Sequence, residues 1–185
     1  LATNKWLNTR VIAEISIMLA LAVVFQLVAM VLPRQPQGGS ISITMLPLII
    51  LAYRHGLKVG ILSGMVYGIL DAMITGFAFV GIHWGVLFFD YLLAFGSIGF
   101  SALVFKLNKR SLKIFVLGTI LGTTLRYFFH FLSGVILFSE YAPEGQPVVI
   151  YSLIYNGWYM VPSIVLTIVI GAALYVRLKE TLLNA

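Results

Sequence analysis

The stretch Ile41-Ser-Ile-Thr-Met-Leu-Pro-Leu-Ile-Ile-Leu-Ala-Tyr53 decides the fold. It is apolar but short, it contains Pro47, and whether it crosses a bilayer sets the number of spans. Charge settles the matter, because basic residues of membrane proteins gather in cytoplasmic loops. If 41–53 crosses and the N-terminus is inside, then Lys5, Arg10, Arg54, Lys58, Lys106, Lys109, Arg110, Lys113, Arg177 and Lys179 share one side, ten of the twelve Lys and Arg residues. Arg34 then lies outside and Arg126 within a span. If the stretch does not cross, the clusters around Arg54 and Lys106 move outside, against that bias. The sequence therefore predicts an all-α integral membrane protein of six transmembrane helices, one domain over residues 1–185, with both termini cytoplasmic.

Composition demands a membrane. Of 185 residues, 61% are apolar and 10% charged, and the mean hydropathy is +1.03. Soluble domains carry about 25% charged residues, so too little polar surface exists to cover a water-soluble globule, and intrinsic disorder is excluded. A span needs about 20 residues. The other candidates are Val11–Leu32, Leu57–Thr75, Ile82–Phe105, Leu112–Phe138 and Val148–Val176. Val11–Leu32 is too long for a signal-peptide core and no small-residue cleavage site follows it, so it reads as a retained helix. Pro33, Pro36 and the Gly38-Gly39 pair break the chain into a first loop around Arg34–Ser40. With no cysteine there is no disulfide framework and no thiolate metal site. The pI of about 9.7 follows from the basic loops rather than from nucleic-acid binding.

Small residues mark close helix packing. Gly56, Gly60, Gly64 and Gly68 recur every four residues, Gly118 and Gly122 repeat the spacing, and Ser16 with Ala20 forms a small-residue pair on the first span. Either internal packing or a docking face for another subunit satisfies these patterns.

Polar groups inside the membrane are functional suspects by default. Asp90 lies ~9 Å, and His130 and Asn156 each ~12 Å, below the outer ends of three different spans, counted at 1.5 Å per residue. An acid, an imidazole and an amide thus share one layer of the outer leaflet. Asp71 sits near the outer end of the third span. Aromatics crowd the same layer, among them Tyr67, Phe79, Trp84, Tyr91, Tyr127, Phe138, Tyr151, Tyr155, Trp158 and Tyr159. Arg126 and His130 are four residues apart and share a helix face. Asn156 falls beside the Tyr151–Tyr155–Tyr159 stripe, so not all three tyrosines are expected in a common cavity. An acid among aromatic faces suits an organic cation, which ring quadrupoles attract and a carboxylate neutralises. An Asp90–Arg126 ion pair tying two helices together explains the same two residues structurally. No phosphate-binding loop, no H-E-x-x-H and no Gly-x-Ser-x-Gly occurs, so catalysis has no motif behind it.

Five ordered stretches carry a resemblance. They are Pro36-Gln-Gly-Gly-Ser-Ile-Ser42 with Met45-Leu-Pro47, Asp90-Tyr-Leu-Leu-Ala-Phe95, Arg126-Tyr-Phe-Phe-His-Phe-Leu-Ser-Gly134, Tyr141-Ala-Pro-Glu-Gly-Gln146 and Tyr151-Ser-Leu-Ile-Tyr-Asn156. In these the chain resembles the thiamine-specific substrate-binding (S) components of energy-coupling factor (ECF) transporters, the ThiT/YuaJ family. The resemblance implies a six-helix S-component fold in a bacterial plasma membrane, with an outward-facing thiamine site and no cofactor. It implies that Asp90 faces the thiazolium with Tyr91 beside it, that His130 contacts that ring, and that Tyr151 and Asn156 hydrogen-bond the aminopyrimidine while Phe138 stacks on it. Tyr67 and Arg126 are expected at the site, and the loop around Gln37–Ser40 is expected to act as a lid. Some members carry Glu at the position of Asp90 and Trp at that of Phe138. The resemblance also implies partners: a transmembrane coupling protein (EcfT) and two ATPases, docked through the positions of Ser16 and Ala20. Other readings are an S component for an uncharged heterocycle such as hydroxymethylpyrimidine, a membrane enzyme using Asp90 and His130 as acid and base, and an assembly protein held by its glycine faces.

Overall fold

The computed structural model describes residues 8–36, 38–76 and 84–183. Six helical segments run through it: α1 (Thr9–Ala29), α2 (Met45–His55), α3 (Leu57–Thr75), α4 (Trp84–Phe105), α5 (Leu112–Leu137) and α6 (Val148–Leu183). Five are long and apolar enough to cross a membrane, and α2 is the short apolar sixth. At 11 residues, α2 measures only about 16 Å, roughly half a hydrocarbon core. Its surroundings explain why that suffices. Every residue from Met45 to Tyr53 is buried, and Ser42 and Thr44 just before the helix are buried as well, so protein rather than lipid surrounds this short segment. There the Ser42 N–H donates to Ser163 Oγ on α6 at 3.0 Å.

The ends of the helices show how the chain runs. Glu14, in the second turn of α1, pairs with Arg54 and with His55 (3.0 Å) at the end of α2. Arg54 also donates to the Thr181 carbonyl near the end of α6. The Tyr53 and Tyr175 hydroxyls both donate to the carbonyl of Lys109, between α4 and α5. One end of the bundle therefore gathers the start of α1, the α2–α3 junction, the α4–α5 loop and the C-terminal turns of α6. This is the gathering that a crossing second segment predicts. Gly56 makes the α2–α3 turn with φ +84, a left-handed conformation that a side chain disfavours. Beneath this end Tyr53, Phe105, Phe115 and Tyr175 pack ring against ring, with centroids 5.0–6.0 Å apart.

The glycine row of α3 is an internal seam. A Cβ on Gly64 would fall 2.2 Å from the Phe95 carbonyl oxygen, and one on Gly68 would fall 2.5 Å from that of Tyr91. α3 and α4 thus touch backbone to backbone. Against this seam α4 is irregular: Leu87–Leu93 is π-helical and Ile98–Phe100 is 3-10. Gly118 and Gly122 serve the α4–α5 contact, facing the Phe105 ring and the Ile98 carbonyl.

The last helix runs beyond the expected Val176 to Leu183. Its 36 residues include Pro162, and Leu178 breaks the helical backbone (φ −117, ψ 16). The α1 surface carrying Ser16 and Ala20 is exposed, beside Ile12, Ile17 and Val24, each more than half exposed.

Candidate functional site

At the end of the bundle away from the basic junctions, α1, α3, α4, α5, α6 and the first loop enclose a cavity. It offers about 160 Å³ to the centres of water molecules. Its floor begins with the π-helical turn of α4. There Asp90 projects toward α5, and His130 Nδ1 meets its Oδ1 at 2.8 Å. Its other oxygen accepts the Ser133 hydroxyl. An ionised carboxylate only accepts hydrogen bonds, so Nδ1 carries the proton. The Asp90 carboxylate keeps 18% of its side-chain surface open, and that surface lies on the cavity.

α5 and α6 approach closely here because Gly134 has no side chain; a Cβ there would fall 2.2 Å from Ser152 Oγ. Across that contact Asn156 donates to the His130 carbonyl (3.2 Å) and accepts the Tyr159 hydroxyl (2.7 Å). The amide is therefore both a wall of the cavity and a clamp between two helices. Tyr91 reaches Thr75 of α3, hydroxyl to hydroxyl at 3.5 Å.

Loop one forms the cover. An antiparallel bridge joins Arg34 to Ser40, and Gly38 (φ +102) and Gly39 (φ +97) let the chain turn. Gly39 lies against the Tyr159 ring, where a Cβ would fall 2.4 Å from the nearest ring carbon. The Tyr155 hydroxyl donates to the Gly38 carbonyl at 3.2 Å.

Seven residues expected from the sequence line this one cavity: Asp90, Tyr91, Arg126, His130, Phe138, Tyr151 and Asn156. Gln37 lies outside the described residues, as does Phe79. Tyr67 does not line the cavity. It is fully buried behind the wall, edge-on to Phe95 at 4.7 Å, with its hydroxyl on Asp71 Oδ1 (3.4 Å) and the Ala22 carbonyl (3.3 Å). No Asp90–Arg126 pair forms. The Arg126 guanidinium carbon sits over the Phe95 ring instead, 4.0 Å from its centroid. Trp84 and Trp158 are 84% and 47% exposed and stand outside the lining.

The expectation about the α6 tyrosines is corrected. Tyr151, Tyr155, Tyr159 and Asn156 all line the cavity. At 100° per residue these positions cover about 140° of arc, a face wide enough for a cavity that wraps the helix. Asp71, Ser133, Tyr159 and Gln26 also line it and were not expected. Ser133 was findable, being three residues from His130 on the same face. Asp71 carried the general signal of an intramembrane acid, but its place near the outer end of the third span set it apart from the layer shared by Asp90, His130 and Asn156.

The family comparison supplies the deciding observation: residues 12–183 match the family model for thiamine transporter protein (Thia_YuaJ). The chain belongs to this family of membrane transporters. It is 37% identical over 178 residues to "Thiamine transporter ThiT" of Bacillus subtilis (strain 168), covering 91% of this chain and 92% of that one. It is 34% identical over 142 residues to the protein of the same name from Lacticaseibacillus paracasei, covering 70% of each. A solved structure of ThiT from Listeria monocytogenes matches with a TM-score of 0.80 at 26% identity, over 96% of this chain and all of that one. The family is one of transporters rather than enzymes. Among the described residues, no group of three His, Asp or Glu side chains is placed to hold a metal.

Proposed function

We propose that this chain is the substrate-binding S component of an ECF-type transporter, capturing thiamine from outside a bacterial cell for uptake driven by ATP hydrolysis in separate subunits. One observation carries the reading: the Asp90 carboxylate, fixed by His130 and Ser133, faces a cavity walled by Phe138, Tyr91, Tyr151, Tyr155 and Tyr159. Thiamine is flat, aromatic and permanently cationic at its thiazolium. The carboxylate supplies charge–charge attraction and the rings supply cation–π contact. Hydroxyl and amide groups from Tyr151 and Asn156 read the aminopyrimidine, and Phe138 stacks on it. Hydroxymethylpyrimidine carries no fixed charge and leaves the buried acid without a counter-ion, which favours thiamine. Gly38 and Gly39 let loop one close over the ligand.

Orientation follows from charge. Nine described Lys and Arg residues flank the junctions gathered at the end opposite the cavity, which supports a cytoplasmic position for that end and for both termini. The exposed Ser16 and Ala20 on α1 suit close packing of a partner helix, here the coupling protein (EcfT), which two ATPases drive. Isothermal titration of thiamine into the purified protein in detergent micelles tests the binding step. Saturable 1:1 binding with thiamine recovered unchanged supports the reading; no heat and no competition by thiamine contradicts it.

A further inference from the structure

The inward face of α1 is a row of Leu19, Ala22, Gln26 and Ala29, apolar but for the glutamine. Gln26 is 9% exposed and lines the cavity. Its carboxamide has no hydrogen-bond partner among the described residues. Neither its oxygen nor its nitrogen is sealed within protein, and on this face of α1 the space they open on is the cavity. An amide inside a membrane span that bonds nothing costs free energy, and a ligand filling the cavity recovers that cost. The fold also fixes what stands beside it. The Tyr67 hydroxyl reaches the Ala22 carbonyl on α1 (3.3 Å) and Asp71 Oδ1 on α3 (3.4 Å), which sets Ala22 and Asp71 at one level. Both helices run from the basic end toward the cavity, so one turn further on Gln26 and Thr75 come level too. Thr75 lines the cavity as well, and its hydroxyl meets that of Tyr91 at 3.5 Å. Gln26, Thr75 and Tyr91 thus make a polar wall from α1, α3 and α4, away from the α5–α6 contact that holds Asn156.

We infer that Gln26 is a ligand-binding residue, its carboxamide hydrogen-bonding the hydroxyl of thiamine's hydroxyethyl arm. The inference rests on the thiamine reading above. In that reading Asp90 matches the thiazolium charge, and Tyr151 and Asn156 read the aminopyrimidine. The primary alcohol of the arm is left without a partner, and the Gln26 carboxamide is left without a ligand group. The two are chemically matched: a hydroxyl donates and accepts, and so does a carboxamide. They are also on the same side. The arm grows from the thiazolium, and the Gln26 wall joins the thiazolium side through Tyr91, the residue after Asp90. Neither group is charged, so this contact reads the polarity of the arm and leaves recognition of the cation to Asp90.

The readout is a preference, the affinity for thiamine divided by that for its deoxy analogue, in which an ethyl group replaces the hydroxyethyl arm. Isothermal titrations in detergent micelles compare wild type with Gln26→Met, which keeps the length of the side chain and removes both polar atoms. Wild type should prefer thiamine by about three- to tenfold, the worth of one neutral hydrogen bond. Gln26→Met should bring the preference below about twofold, by weakening thiamine while the analogue stays within about twofold of its wild-type affinity. A merely structural role for Gln26 lowers both affinities together and leaves the ratio unchanged. A ratio unmoved by Gln26→Met therefore overturns the proposal. Wild type is read independently: thiamine bound no better than the deoxy analogue overturns it even if Gln26→Met fails to fold, and leaves the thiamine reading standing. Wild type that binds neither ligand overturns the thiamine reading itself, and the proposal with it.

Discussion

Replacing Asp90 by Asn removes one negative charge and keeps the shape of the side chain. The amide can still accept the Ser133 hydroxyl and donate to His130 Nδ1 once that ring changes tautomer, so the α4–α5 contact survives. What disappears is attraction for a cation. Two unit charges about 5 Å apart at an effective dielectric near 20 attract by roughly 3 kcal/mol. The carboxylate is 18% open, and the thiazolium spreads its charge over a ring, so about 2 kcal/mol is the better figure, or roughly thirtyfold in Kd. Isothermal titration with thiamine and with its uncharged isostere, in which a thiophene replaces the thiazolium, separates charge from shape. Thiamine affinity should fall about thirtyfold, whereas isostere affinity should move by less than about threefold. Thiamine affinity unchanged in a folded Asp90→Asn protein would refute the assignment of Asp90 as the partner of the cation.

Three other substitutions test the surroundings of that carboxylate. Gly68→Ala places a methyl 2.5 Å from the Tyr91 carbonyl oxygen; it should destabilise the fold by about 1–3 kcal/mol and weaken thiamine binding, read by thermal melts and titration. Asn156→Ala removes the bridge to the His130 carbonyl and the partner of Tyr159. It should lower the stability of the ligand-free protein by about 1–3 kcal/mol, and an unshifted melting temperature would show that the amide is no clamp. Gly39→Val meets both a φ of +97 and the Tyr159 ring, so loop one should lift. Thiamine Kd should then rise by about five- to a hundredfold, chiefly through faster dissociation in stopped-flow traces.

Much of this arrangement is legible in residue order, because it depends on where charge and polarity fall along long apolar runs. Arg54 and the Lys106–Lys113 cluster argued that 41–53 crosses, and the Glu14–Arg54 and Tyr53–Lys109 contacts bring those junctions to one end. Counting depth along separate helices put Asp90, His130 and Asn156 in one layer, where they are joined by hydrogen bonds. What stayed hidden depends on contacts between helices. The π-helical turn at Leu87–Leu93 arises where α4 packs against the bare backbone of Gly64 and Gly68, and no local pattern in 87–93 announces it. The inward direction of Asp71 depends on Tyr67 behind it, whose hydroxyl it accepts. Among the described residues, the aromatics of the outer layer divide into cavity wall, buried support such as Tyr67 and exposed surface such as Trp158 only once the helices are rotated into place.

The most direct test is a structure of the thiamine-bound protein. The account predicts the thiazolium in the cavity beneath loop one, within about 6 Å of the Asp90 carboxylate, with the aminopyrimidine between Phe138 and the α6 face carrying Tyr151 and Asn156. Thiamine bound with its thiazolium turned away from Asp90, or seated outside this cavity, would contradict it.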